Sequence, residues 1–419
     1  MSILITNARV LTMGQGQGPR TRDRFGNLGV IPRADVLIDQ GVIARIIPRG
    51  SHDPSPVPPV GATTIDAKGR VLMPAFIDPH THLCWAGDRL DEWQMKLRGT
   101  SYLDILKAGG GIMSTVRAVR EASENTLLEL LLERLDRVLR AGTTTIEIKS
   151  GYGLSTRDEL KMLRVIHEAG SRWPGTIVLT ALLGHAIDPG VPDFEQRTIE
   201  ETLPAVHAEF PGVAIDAFCE KGAWSREQCV KLFAQARSLG HPIRVHADQF
   251  NSLGMVEAAL RLSAASVDHL EASTRDDLLR LAESPTFGVG LPCTGLHMAT
   301  RAGGDFADLR ALADLGGRIA IATNANPGSA TAFAMPIAMA VAVRFCGLSP
   351  QESIVASTAN AGELLRHIDP SLDDRGRIEP GLRADLILLR HTDERSLAYE
   401  WASDHVALTI CHGRVVFSA

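Results

Sequence analysis

Short runs of β-branched and aliphatic residues alternate along most of the chain with longer stretches whose apolar side chains recur every three or four positions. Thr143–Ile148 (TTTIEI) is a run of the first kind. Thr126–Ala141 before it (TLLELLLERLDRVLRA) is of the second and stops at Gly142, a helix-ending signal. The alternation continues through a helix at Asp158–Ala169, a strand at Thr176–Leu183, a helix near Phe194–Ala208 and a strand at Val213–Phe218. Ser225 is placed to cap a helix running to Leu239, and Ile243–His246 follows as a strand. Helices at Gly254–Leu262 and Thr274–Ala282 flank a strand at Ser266–His269. Strands at Phe287–Leu291 and Arg318–Thr323 flank a helix at Phe306–Leu315, and helices at Thr331–Phe345 and Pro350–Leu365 follow. With Val71–Ile77 as the first strand there are eight, each followed by a helix. This pattern predicts a parallel sheet closed into a (β/α)8 barrel over residues 71–365. The alternative, an open doubly wound sheet, would gather the functional residues at one switch point.

The two ends read differently. Residues 1–70 hold short β-like pieces (ILITNARVL, DVLIDQGVIARII), and residues 366–419 hold more (GRIEPGLRADLILL, HVALTICHGRVVF). Neither end can bury a core alone, so the pattern predicts one small β-sandwich built from both. Gln15–Asn27 reads as a flexible loop.

Composition narrows the class. The chain has 419 residues, 45% hydrophobic and 22% charged, with a net charge of −6 and no basic patch, which argues against nucleic acid as a partner. The longest apolar run, near Ala332–Val343, contains Pro336 and is too short to cross a bilayer, so no membrane partner is expected. The start, MSILITNARVLTMG, has no signal-peptide pattern, and the six cysteines form no CxxC pair. A soluble protein of the reducing cytoplasm is expected. The apolar helix Phe333–Phe345 can serve as barrel wall or as the face of a homodimer.

The chemistry falls at strand ends. Asp78, His80 and His82 follow the first strand, Glu147, Lys149 and Tyr152 the second, His185 the third and Glu220 the fourth. His246 and His269 end the fifth and sixth, and Cys293 and Asn324 follow the seventh and eighth. Barrel enzymes place their active sites at these C-terminal ends. In an extended segment His80 and His82 share a face and can reach one ion, and His246 supplies a third imidazole. Three protein ligands plus water is the pattern of a catalytic metal site, in which the ion lowers the pKa of water and polarises a carbonyl. His269 reads as a further ligand, a general base or a core histidine. Glu220 reads as support behind the site or as a salt bridge with Lys221 or a neighbour. Lys149 could bridge two metals as a carbamate, but IEIKSGYG reads instead as a loop presenting Tyr152, which favours one metal.

The runs MPAFIDPHTHLCWAGDR, GTSYLDILKAGGGIMSTVRAVREAS, TTTIEIKSGYGLSTRDELKMLRV, VHADQFNSLG, VDHLE and NANPGSA together resemble the imidazolonepropionase family of the amidohydrolase superfamily. The resemblance spans residues 70–365 and the flanking β segments. It implies a (β/α)8 barrel with a β-sandwich from both termini. It also implies one zinc or iron ion, and opening of the ring of 4-imidazolone-5-propanoate to N-formimidoyl-L-glutamate. Carried over, it makes His80, His82 and His246 metal ligands and has Arg89 grip the carboxylate of a small-molecule substrate, a task suited to guanidinium. Tyr152 and His185 would bond the ring and carboxylate. Gln249 would stand near the bound water, His269 would polarise the carbonyl or take a proton, and Asn326, Gly328 and Ser329 would line the far side.

Two departures stand out. The family motif after strand eight reads Thr-Asp-x-Asn-Pro-Gly, whereas this chain has Thr323-Asn324-Ala325-Asn326-Pro327-Gly328. Asn324 can offer a metal an amide oxygen but cannot accept the proton that the family aspartate shuttles. LPCTGLHM after strand seven replaces a Gly-Ala-aromatic pattern and brings in Cys293 and His297. An impaired hydrolase, a paralogue acting on a related carboxylated cyclic amide or amidine, and a non-catalytic binding homologue all fit these residues.

Overall fold

The computed structural model describes residues 2–14, 16–50, 60–100, 110–299, 303–401 and 403–419. Five strands come first: β1 (Ser2–Leu11), β2 (Val30–Asp39), β3 (Val42–Pro48), β4 (Thr63–Asp66) and β5 (Val71–Pro74). Eight follow: β6 (Phe76–Asp78), β7 (Thr143–Lys149), β8 (Thr176–Gly184), β9 (Ala214–Cys219), β10 (Arg244–Ala247), β11 (Ser266–His269), β12 (Phe287–Gly290) and β13 (Arg318–Ile321). The last three are β14 (Leu386–Leu389), β15 (Val406–Cys411) and β16 (Arg414–Ser418).

Strands β6 to β13 pair in sequential order, all parallel, with helices between them. Sequential order makes a barrel, not the reversed order of a doubly wound sheet. The ring closes through the segments just beyond β6 and β13. The Asn324 N–H donates to the His80 carbonyl at 3.1 Å, and the His82 N–H to the Ala325 carbonyl at 3.0 Å. The Asp78 carboxylate accepts the Thr323 N–H at 3.1 Å and its hydroxyl at 2.5 Å. This seam locks the segment carrying His80 and His82 to the one carrying Asn324. Barrel strands are buried on both faces (all seven residues of β7 are), so they read as continuous β-branched runs rather than alternating ones.

The single strand expected over Val71–Ile77 is in fact two. Val71–Pro74 pairs with β1 and β14, and Phe76–Asp78 pairs with β7. Pro74 has no ladder donor, and the chain changes sheets there. The run looks continuous in sequence because both sheets bury it.

The terminal strands form one sheet in the order β16-β15-β14-β5-β1-β2-β3, with β4 beside β1. It folds over so that its wings face each other around Ile5, Val36, Ile38, Leu386, Leu388 and Ile410. The hairpin turns of the two wings touch. A Cβ on Gly41 would lie 2.4 Å from the His412 ring, and one on Gly413 would lie 2.7 Å from the Gly41 Cα. Both turns therefore need glycine.

Several helices differ in extent from expectation. The helix expected over Pro350–Leu365 breaks into Pro350–Ala356 and Ala359–Ile368, where the Ser357 and Thr358 hydroxyls both donate to the Ile354 carbonyl. The helix expected from Thr331 starts at Met335 with Pro336 in its first turn, and that expected from Phe306 starts at Leu309, capped by Asp308. Ser225 caps its helix as expected, in a reciprocal box with Gln228. Residues 16–27, expected to be flexible, are pinned instead. The buried Arg20 guanidinium donates to the carbonyls of Met13, Gly16 and Gly18, and Asn360 holds the Arg20 backbone. Gln15 and the 101–109 part of the GTSYLDILKAGGGI motif lie outside the described residues. No helix among the described residues is long and apolar enough to cross a membrane.

Candidate active site

The barrel seam and β10 bring His80, His82 and His246 together. One ligand-capable atom from each lies within 4.8 Å of the others, the one such group among the described residues. The Nε2 atoms of His82 and His246 are 3.2 Å apart. The buried His80 Nε2 has no hydrogen-bond partner there, and neither does the buried Oδ1 of Asn324. Orphaned polar atoms in a protein interior are rare and call for an explanation. Converging imidazole nitrogens fit a divalent cation. Such ligands must be neutral, and burial holds all three imidazoles below the ordinary histidine value.

Beneath the histidines lies a fully buried network of ionised groups. The His80 Nδ1 is 2.6 Å from Asp268, and the His246 Nδ1 is 3.1 Å from Asp216. Each carboxylate takes the inner ring proton and leaves Nε2 free to face the centre. Arg244 reaches Asp268 at 2.7 Å and Glu147 at 3.3 Å, and Lys149 reaches Glu147 at 2.7 Å and Asp216 at 2.9 Å. The Lys149 ammonium is thus held between two carboxylates, in keeping with a site for one metal. Asp216, Arg244 and Asp268 are absent from the strand-end reading. Their signal was a charged residue inside an otherwise apolar barrel strand: AIDAFC, RVHA and SVDH.

Above the cluster opens a cavity lined by His82, Tyr152, His185, Phe218, His246, Gln249, His269, Asn324, Asn326 and Ser329. The His185 and Tyr152 rings stand 5.1 Å apart, and both flank His82. The His185 Nδ1 donates to the Gly151 carbonyl at 2.9 Å, so its Nε2 carries the free lone pair. Burial pushes that imidazole down to about 3. The loop is held by Glu159, whose carboxylate accepts the N–H groups of Gly151, Gly153 and Leu154, each at 2.8 Å.

His269 sits at a backbone φ of 92°, outside the usual range for a side-chain-bearing residue. Its Nδ1 lies 3.2 Å from Glu271. It lines the cavity, which disfavours the core-histidine reading. Gln249 rides on a loop fixed by Glu220, which accepts from the Phe250 and Asn251 N–H groups and from the Asn251 amide. Glu220 takes the Lys221 backbone N–H rather than its ammonium, and its remaining contacts are to the Gln249 loop, which favours the support reading. The Asn326 side chain closes its own loop, accepting from Gly328 and Ser329 and donating to the Asn324 carbonyl.

Arg89 and Gly328 are not in the histidine cavity. They line the adjoining one, with Trp85, Trp93, Lys96 and His297. The Arg89 Nε donates to Glu92 at 2.5 Å, and Glu92 also binds Lys96 and the Gly111 N–H. The 326–329 loop separates the cavities, and a Cβ on Gly328 would stand 3.1 Å from the Arg89 guanidinium. Cys293 packs away from both, against Ala330 and Ala338. Its neighbour Thr294 is the residue of LPCTGLHM that reaches the site, accepting from the Asn324 amide at 2.8 Å.

A barrel with histidines at these strand ends defines an amidohydrolase, and the Amidohydrolase family model matches residues 71–416. Among solved structures, 5-methylcytosine deaminase from Klebsiella pneumoniae superposes with a TM-score of 0.75 over 100% of this chain and 98% of its own, at 17% identity, a likeness of fold. Imidazolonepropionase of Herpetosiphon aurantiacus is 39% identical over 99% of this chain and 96% of its own length. That of Symbiobacterium thermophilum is 37% identical over 99% and 97%. The chain belongs to the imidazolonepropionase family.

Proposed function

We propose that the chain is a metal-dependent hydrolase that opens the ring of 4-imidazolone-5-propanoate to N-formimidoyl-L-glutamate, with turnover held down by Asn324. The observation that carries this reading is the triad of neutral imidazoles converging on a cavity lined by Tyr152, His185 and His269. His80, His82 and His246 would hold the ion, with the Asn324 oxygen as a fourth donor. Zinc is the first choice and iron the second. Such an ion supplies Lewis acidity toward water and the ring carbonyl.

The chain's own residues do the rest. Tyr152 and the free His185 Nε2 position the ring. Arg89, in the cavity across the 326–329 loop, would take the propionate. His269 faces the carbonyl oxygen and stabilises its developing charge. Hydrolysis puts the hydroxyl of water on the carbonyl carbon and needs a proton on the departing ring nitrogen. A carboxylate at 324 would carry that proton; an amide can orient water but cannot relay it. The six cysteines, all free and buried, suit a reducing cytoplasm.

The test is Asn324→Asp with this substrate. Turnover should rise by roughly 10² or more, with KM little changed, because general acid–base help is typically worth about 10² to 10⁴. Fast hydrolysis by the chain as it stands, with no gain in the variant, would move the proton transfer to another group. No turnover in either would favour a related carboxylated cyclic amide or a binding role.

A further inference from the structure

We infer that Thr294 is a positioning residue for the metal centre: its hydroxyl accepts the Asn324 amide N–H when the amide oxygen faces the histidines, and so supports that oxygen as a neutral fourth donor. The inference rests on the metal reading of the histidine cluster and concerns two residues that lie about thirty positions apart in the chain.

The Asn324 backbone is fixed from both sides. Its N–H donates to the His80 carbonyl at 3.1 Å, and its own carbonyl accepts the Asn326 amide at 2.7 Å. Its φ of 54° lies in the left-handed region that asparagine tolerates. What remains to be decided is which end of the side-chain amide faces the histidines. An amide is a donor at one end and an acceptor at the other, and only the oxygen can bind a cation. In the structure the nitrogen donates to the Thr294 hydroxyl at 2.8 Å, and the oxygen, buried, has no partner, like the His80 Nε2. Both Thr294 and Asn324 are buried, so no bulk water can replace the hydroxyl as acceptor.

The two departures noted in the sequence therefore meet in one hydrogen bond, Thr294 from LPCTGLHM and Asn324 from TNANPG. A carboxylate at 324 would have no N–H to satisfy. The amide has one, and without an acceptor there the oxygen-inward orientation would leave it stranded, a penalty charged against metal binding.

The experiment is zinc affinity by chelator competition on the full-length protein, read for wild type, Thr294→Val, Thr294→Ser, Asn324→Ala and the Thr294→Val/Asn324→Ala double variant. Apo-protein thermal unfolding checks that each folds. Thr294→Val should lose roughly 10- to 100-fold in affinity, the usual effect of removing a ligand's supporting partner, and Thr294→Ser should stay near wild type. In the Asn324→Ala background Thr294→Val should cause no further loss, because its route to the ion is already gone. Thr294→Val binding zinc as tightly as wild type overturns the inference, as does an equal loss with and without Asn324, which would be a packing effect. Wild-type protein that takes up no zinc overturns the metal reading itself and the inference with it. If Thr294→Val fails to fold, Thr294→Ala is read in its place by the same criteria.

Discussion

The floor and the rim of the cavity use carboxylates in opposite ways. On the floor, Asp216 and Asp268 contact the inner nitrogens of two histidines, and Glu147, Lys149 and Arg244 link them into one fully buried network. Its negative charge stands one side chain away from the cavity, behind imidazoles that face it. On the rim, Tyr152, Gln249, Asn324, Asn326 and Ser329 face the cavity, none of them a carboxylate. Glu271 contacts the His269 ring there, and three other carboxylates hold surrounding segments in place. Glu159 ties down the Tyr152 loop, Glu220 the Gln249 loop, and Glu92 the Arg89 side chain. Floor carboxylates set the charge and direction of the histidines, whereas Glu159 and Glu220 on the rim set the position of backbone. A change of the same kind, carboxylate to amide, should therefore be read out differently in the two places.

The largest effect is expected on the floor. Asp268→Asn removes the charge that holds the inner proton of His80 and leaves Arg244 without its closest partner. Breaking a buried pair from one side typically destabilises by about 3–5 kcal/mol. Losing the support of a ligating histidine weakens metal affinity about 10- to 100-fold. Urea unfolding of the apo protein and zinc competition measure the two separately. A variant with unchanged zinc affinity would show that Asp268 serves packing and charge balance only.

Next in size is Arg89→Met, at the edge of the rim. A charge-assisted hydrogen bond contributes about 1.5–3 kcal/mol, so affinity for the carboxylated ligand should fall by roughly ten- to a hundredfold. Affinity for a decarboxylated analogue should barely change, and metal content should stay put. Wild-type protein that does not prefer the carboxylated ligand would remove Arg89 from recognition and leave it as a partner of Glu92 and Lys96.

The contrast also explains what could be read from the sequence. Eight βα units, the composite sheet from both termini and the histidines at strand ends were legible because each rests on local periodicity or on a residue type rare in that position. The split of Val71–Asp78 between two sheets was not, since an apolar run buried by either partner looks the same. The floor network was hidden for a related reason. Asp216, Arg244 and Asp268 point inward from strands where an apolar residue is the rule, and only their three-dimensional closure shows that they neutralise one another. Arg89 came from the family resemblance, but nothing in its spacing revealed that it opens into a neighbouring cavity with Glu92 on its guanidinium. Thr294 was passed over for Cys293 and His297, which have the more reactive side chains yet lie off the histidine cavity.

The smallest expected effect separates scaffold from chemistry on the rim. Glu159 gives one oxygen to the Gly153 and Leu154 N–H groups and the other to Gly151. In Glu159→Gln the amide oxygen can keep the first pair, but its NH2 then meets the Gly151 N–H donor to donor. A buried donor left unsatisfied costs about 1–3 kcal/mol, and the strain falls on the residue whose carbonyl orients His185 and whose neighbour is Tyr152. KM should rise while metal content and the turnover gained from Asn324→Asp stay as they were, because no floor residue touches this loop's carboxylate. The measurement is steady-state kinetics of Glu159→Gln in the Asn324→Asp background beside metal analysis of both proteins. Loss of metal would mean that rim and floor are mechanically one unit, and the division between them drawn from their hydrogen bonds would fail.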